Sequence, residues 1–154
     1  MLVMERKASD NKYLHRDFHI SADNGIEYVG KKYGDEGVKE FLSDFARSYF
    51  QLLVKEYKRD GLKAIAKYIN RIYETEEASD AIELAVSDKN LTVKVKYCPA
   101  VKYMRSQGHV PSRWYKLSTF AVYNRLAIDC GIKFVGGEYD EETGATEFEF
   151  IEES

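Results

Sequence analysis

The spacing of apolar residues changes near residue 80, and no other feature restricts the possible folds as strongly. Up to that point the apolar positions recur every three or four residues, as on one face of a helix. Beyond it they first alternate, as on one face of a half-buried strand. A chain built this way predicts helices first, then strands with helices among them.

Residues 9–33 read as a first helix, with Leu14, Phe18, Ala22, Gly25 and Val29 as its apolar stripe. Gly34-Asp35 breaks the pattern, and Asp35 is placed to cap a second helix over about 35–58. Its stripe is Val38, Phe41, Leu42, Phe45, Tyr49, Leu52 and Leu53. After Asp60-Gly61, a third helix carries Leu62, Ile65, Ala66, Ile69, Ile72 and Tyr73.

Ile82, Leu84 and Val86, then Leu91, Val93, Val95 and Tyr97, alternate around the turn cluster Ser87-Asp88-Lys89-Asn90. These two runs predict a hairpin with one buried face. Pro99 suits the first position of a short helix reaching about Ser106. Ser112 can cap a longer helix, with Leu117, Phe120, Ala121, Asn124 and Ile128 on one face and Gly131 after its end. A second hairpin spans 132–139 and 145–151. Gly136-Gly137 reads as a bulge in its first strand.

The expected fold is therefore α+β in a single domain covering 1–154. A helical half occupies about 9–78 and a sheet-plus-helix half about 80–152. The two hairpins are expected to join into a four-stranded antiparallel sheet with the helices packed on one face.

Composition narrows the function. At 154 residues the chain can bury about 70% of its unfolded surface and needs no disulfide or metal to hold a core. Lys and Arg number 23 against 26 Asp and Glu, and the net charge of −3 argues against nucleic acid as a partner. No run of ~18 apolar residues predicts a membrane span, and residues 1–7 lead into no signal-peptide core. With Cys98 and Cys130 the only cysteines, a reducing cytoplasm is the expected compartment. Twelve tyrosines suit either a pocket or interface, or an aromatic core with hydroxyls at its edge.

Three constellations could carry chemistry. Cys98, in Tyr97-Cys98-Pro99-Ala100, falls where a strand gives way to a helix N-terminus. The helix dipole would favour a thiolate there, and strand alternation would add Lys94 and Lys96 on the same face. Equally, a small apolar Cys can plug such a junction. His15 and His19 sit one turn apart, with Asp23 one turn further on. Either histidine could act as a base toward Cys98 or serve structurally. The Glu of a His-Glu-x-x-His metal site is missing, so neither a metal nor another cofactor is expected. Arg113-Trp114-Tyr115-Lys116 offers Arg113 to a carboxylate and Trp114 to a flat ring, or else pins a surface turn to the core. Asn124, on an apolar face, reads as a buried polar group in need of partners. Tyr97, Arg113, Trp114 and Asn124 are the candidate ligand-binding residues.

Lys96-Tyr97-Cys98-Pro99-Ala100, residues 124–129 and Thr146-Glu147-Phe148-Glu149-Phe150 together resemble the L-2-amino-thiazoline-4-carboxylic acid hydrolase-like family. The layout is also similar to 4-vinyl-reductase-type ligand-binding domains, which are α+β modules that bind small hydrophobic ligands or dimerise. The first resemblance implies a small soluble bacterial protein and a hydrolase acting on a cyclic or amide-type C–N bond. Cys98 would then be the nucleophile, with His15 or His19 as base. The second implies a non-catalytic binding or sensing module with an aromatic pocket. Where the hydrolase-like family reads Cys-Asp-Phe, this chain has Thr146-Glu147-Phe148, leaving Cys98 as the only matching thiol. A small molecule is the expected partner in either case. A homodimer is also expected, because Phe41, Phe45, Tyr49 and Phe50 exceed what one sheet face can cover.

Overall fold

The computed structural model describes residues 12–153, with side chains from residue 16 onward except that of Asp17. Five helices and four strands follow one another as α1 (Lys12–Tyr49), α2 (Gln51–Asp60), α3 (Leu62–Thr75), β1 (Ile82–Val86), β2 (Asn90–Val95), α4 (Pro99–Ser106), α5 (Leu117–Cys130), β3 (Lys133–Tyr139) and β4 (Thr146–Ile151). The sheet order is β1-β2-β4-β3 with every pairing antiparallel, so the two hairpins join along β2 and β4. The chain is α+β with a four-stranded antiparallel sheet, as its change of period implies.

Register decides which face is buried. Leu91, Val93 and Val95 on β2 lie opposite Phe150, Phe148 and Thr146 on β4, and all six are buried beneath the helices. Their neighbours Thr92, Lys94, Glu147 and Glu149 make the opposite, polar face. α3 packs on β1 and β2, α5 packs on β3, and α1 lies across α5 and α4. Phe134, Phe148, Phe150 and Tyr123 meet edge-on or tilted between α5 and the sheet. That geometry suits the aromatic quadrupole.

The break expected at Gly34 is present: its backbone is non-helical, and two helical stretches of α1 meet there across a kink. Gly34 has φ +71, which a side chain rarely tolerates. Asp35 does not act as a helix cap. Its Oδ1 instead accepts the Trp114 indole N–H at 2.7 Å. The helix expected over 35–58 is divided at Phe50, between α1 and α2.

The first stripe is corrected as well. Phe18 is 67% exposed, while Asp23 is 1% and Ile26 4% exposed. The buried face of α1 thus carries a carboxylate, which a hydrophobic pattern cannot register. Asp23 accepts hydrogen bonds from the Ser112 amide (2.9 Å) and the Ser112 hydroxyl (2.7 Å), and its other oxygen contact is His109 Nε2 at 2.7 Å. Ser112 is therefore committed to Asp23 and does not cap α5, which begins at Leu117. Within the second stripe, Val38, Leu42 and Leu53 are buried, but Phe41, Phe45, Tyr49 and Leu52 are exposed.

Two glycines on α1 provide a test with opposite signs. A methyl on Gly30 would come within 2.4 Å of the Trp114 ring, whereas one on Gly25 would meet nothing within 4 Å. Gly25→Ala should raise stability by about 0.5–1 kcal/mol through helix propensity. Gly30→Ala should lower it by about 1–3 kcal/mol through overpacking. Urea unfolding of both variants checks the pair.

Candidate functional site

The junction between β2 and α4 is built around Cys98. β2 ends at Val95, and the Lys96 amide donates to Ala81 O at 2.7 Å as the chain turns away from the sheet. Strand alternation therefore stops short of Cys98, which does not share a face with Lys94 and Lys96. Both lysines are exposed, and Lys96 pairs with Glu83 at 2.8 Å. Cys98 instead occupies the N-cap of α4 in extended conformation, with Pro99 as first helical residue. Its own amide donates to Thr143 O at 2.8 Å, tying the junction to the β3–β4 turn. A Cβ on Gly144 would fall 2.4 Å from Cys98 Cβ, and Gly144 has φ +72. Only glycine suits that position.

The Cys98 side chain faces a cavity of about 230 Å³ between the helices and the sheet. α3 contributes Tyr68, Ile69, Ile72 and Tyr73, and α5 contributes Tyr115 just before its start, Thr119 and Tyr123. Tyr139, Thr146 and Phe148 come from the closing hairpin, and Tyr49 from the end of α1. His19 of α1 and Glu76, just past α3, complete the polar wall. His19 Nε2 lies 3.0 Å from Glu76 Oε1, and Glu76 is a buried residue. Six tyrosines thus surround one carboxylate, one imidazole and one thiol, and among the described residues no Lys or Arg lines the space.

A local backbone feature sets Glu76. α3 ends in a turn where the Ala78 amide donates to Tyr73 O at 2.8 Å, and the next residue after Glu76, Glu77, holds φ +56. This left-handed residue with its six-to-one bond is the common closure of a helix C-terminus, and it fixes where Glu76 stands.

The electrostatics run against the expected thiolate. The Ala100 and Val101 amides at the start of α4 donate toward the Cys98 sulfur and favour its charged form. Burial outweighs them, and the Glu76 carboxylate adds to it, so the thiol is pushed above the ordinary cysteine range. Cys130, at the far end of α5, is raised to about 11 by burial and by Asp129. Burial also raises Tyr68, Tyr73, Tyr115, Tyr123 and Tyr139.

Cys98 and His19 are brought to one cavity; the side chain of His15 lies outside the described residues. The candidate ligand-binding residues are not brought there. Tyr97 turns outward, donating its hydroxyl to Asp80 at 3.0 Å beneath the Lys102 ammonium. Trp114 lies over Gly30, with the Arg113 guanidinium 4.4 Å from its ring centre and 3.6 Å from Asp35. These two clamp the kink of α1. Asn124 is exposed rather than buried, on an open groove between α1, α5 and β3. His19 and Asp23, one turn apart, take separate partners, and no group of three or more His, Cys, Asp or Glu among the described residues could hold a metal. Among the described residues no helix is long and apolar enough to cross a membrane. Glu76 was missed because it stands in an acidic run that reads as a solvated surface. The excess of tyrosine did signal a pocket, without showing which residues form it.

Neither a family model nor a curated protein matches the chain.

Both thiols should be mostly protonated at neutral pH. Iodoacetamide at pH 7 is expected to modify each slowly in the folded protein, Cys98 no faster than Cys130, and both quickly in urea. Raised acid groups also set the direction of pH dependence. Their contribution to stability is whole below the unfolded-state values, near pH 8.5 for Cys and 10 for Tyr, and is lost as pH rises through the folded-state values. Absorbance at 295 nm should show the exposed tyrosines ionising first. Tyr68, Tyr73, Tyr115, Tyr123 and Tyr139 should follow only as the protein unfolds.

Proposed function

We propose that this cavity binds one small planar molecule, neutral or positively charged, and that the chain is a binding or sensing module. The observation that carries the reading is the lining itself: six tyrosines around a part-buried His19–Glu76 pair, with no Lys or Arg among the described lining residues. Aromatic faces attract a cation and stack on a flat ring, while an anion would meet the Glu76 carboxyl and no Lys or Arg in the described lining. Size sets the scale of the ligand. A 150 Å³ apolar cavity accommodates benzene, and drug-sized pockets run to about 300–1,000 Å³. At about 230 Å³ the space suits a single ring with short substituents. The reading places such a protein in the reducing cytoplasm expected from its cysteine content.

A second reading, a hydrolase acting on a cyclic or amide-type C–N bond, is favoured by one observation. Cys98, His19 and Glu76 line the same cavity, and two helix-start amides converge on the sulfur. Attack needs a thiolate, and burial holds the Cys98 thiol above the ordinary cysteine range, against that form. A carboxylate-bearing thiazoline would also lack a basic partner in the described lining.

The test is calorimetric titration with phenol, benzamidinium and benzoate. Phenol and benzamidinium should bind and raise the melting temperature, with about 2.7 kcal/mol of added stability at a hundredfold excess over Kd. Benzoate should do neither. Cys98→Ser should leave binding within a few fold. If none of the three probes binds, the cavity is not a ligand site. If Cys98→Ser keeps affinity but ends a measured C–N hydrolysis, the second reading replaces the first.

A further inference from the structure

Among the described residues, the second half of α1 and the start of α2 leave a band of apolar side chains exposed. At about 100° per residue, Phe41, Phe45, Tyr49 and Leu52 fall within some 80° of arc. They lie beside the buried arc of Leu42, Leu53, Ala46 and Phe50, at about 100–180° from Phe41, while the buried Val38 falls at about 60°, within the band's own arc. The axis carries through the α1–α2 break, since the Phe50 amide reaches Ala46 O and the Val54 amide reaches Phe50 O, both at 2.9 Å. The four side chains are 48%, 50%, 60% and 68% exposed. Phe45 and Tyr49 stack on each other with centroids 5.2 Å apart. Contiguous exposed apolar surface of this kind marks an interaction site more often than isolated exposed residues do.

Two further observations identify the occupant. The first is charge. Leaving out Asp35, which is held by Trp114 and Arg113, residues 36–44 carry Glu36, Glu40 and Asp44 against Lys39, a net −2, while residues 47–60 carry Arg47, Lys55, Lys58 and Arg59 against Glu56 and Asp60, a net +2. The band therefore runs from an acidic half to a basic half, with Phe45 near the change of sign. A second copy laid antiparallel about a two-fold axis near Phe45 sets each acidic half against the other's basic half. A parallel copy would set like charges together. The second is shape. A hollow of about 570 Å³ opens over Gly37 between Tyr33, Phe41 and the acidic side chains Glu36, Glu40 and Asp44. Gly37 is needed there because a Cβ would stand 2.3 Å from Tyr33 Cβ. In the antiparallel arrangement an aromatic from the other copy's Tyr49–Leu52 end comes over this hollow.

From these we infer that the α1–α2 face, centred on Phe45, is the interface of a two-fold symmetric homodimer with antiparallel helices. Such an interface uses the same patch on both subunits and closes at two copies. Its intrahelical pairs, Lys39–Glu36 at 2.9 Å and Asp44–Arg47 at 3.6 Å, are exposed and weak, and they can exchange for contacts across the axis. Tyr49 also lines the cavity, so the dimer would cover one of its walls. The inference stands on the helix surface and does not depend on what the cavity holds.

Sedimentation equilibrium and native mass spectrometry of the full chain test it. The wild-type chain should give a two-subunit mass. Phe45→Glu, at a half-exposed ring outside the cavity, should weaken the dimer at least ~30-fold with an unchanged circular dichroism spectrum. The double variants Glu40→Lys/Asp44→Lys and Arg47→Glu/Lys55→Glu should each be mostly monomeric alone. Mixed together, they should form a dimer containing one of each. A wild-type chain that stays monomeric at all concentrations overturns the proposal, as does a dimer unaffected by Phe45→Glu. Charge variants that dimerise alone as well as the wild type overturn the antiparallel arrangement.

Discussion

The attachment of α1 to the rest of the molecule is the constraint on which the structure turns. The first half of this helix does not bury a continuous apolar stripe, so the usual cause of helix docking is weak there. Three side-chain anchors stand in for it. His19 meets Glu76 past α3, Asp23 binds Ser112 and contacts His109 ahead of α5, and Gly30 lies under Trp114, whose indole reaches Asp35. Hydrogen bonds to a charged group contribute about 1.5–3 kcal/mol each. Removing one partner of a buried charge costs more than that. The polar anchors therefore act as a specificity device, because α1 cannot slide by one residue without stranding Asp23.

The cavity follows from that attachment. His19 sits one turn before Asp23, so the bonds that place Asp23 also bring His19 to the end of α3. The tyrosines around it solve a packing problem in the same stroke. Most of these rings fill volume between the helices and the sheet, and a tyrosine hydroxyl can offer a hydrogen bond at a cavity edge. Burial raises the hydroxyls of Tyr68, Tyr73, Tyr115, Tyr123 and Tyr139 and the Cys98 thiol alike. The wall is thus rich in neutral donors and poor in charge apart from the His19–Glu76 pair.

Much of the architecture was legible in the chain because it rests on short-range rules. The alternation at 82–86 and 91–95 gave the first hairpin, Cys98-Pro99 the start of α4, and Gly131 the end of α5, where it holds φ +73. Gly136-Gly137 does mark a bulge: the β3–β4 register shifts there, and a Cβ on Gly137 would stand 2.6 Å from Glu147 O. What stayed hidden depends on partners distant in sequence. Asp23 is buried only because Ser112 and His109 come to it, and Trp114 is occupied only because Gly30 and Asp35 lie under it. Asn124 was assigned to the core from one face of α5. The buried residues on that helix are Val122, Leu126 and Ala127, on a neighbouring face. Cys98 was placed correctly at a helix start, but its burial could not be read from the sequence, and burial decides the thiol's acidity.

The strand order carries a consequence for biosynthesis. β4 is the last strand in the sequence, yet it takes an inner place between β2 and β3. Until residues 146–151 have left the ribosome, β1 and β2 form a two-stranded ribbon whose β2 edge has no neighbour. Isolated hairpins are marginally stable, and bare edges invite pairing with other chains. On the polar face this edge carries Thr92 and Lys94, and a lysine on an exposed strand edge discourages such pairing. The cavity wall contributed by Tyr139, Thr146 and Phe148 is also absent until then. A nascent chain can thus hold its helices and first hairpin together before the cavity exists, so the docking of β4 both closes the sheet and completes the cavity wall.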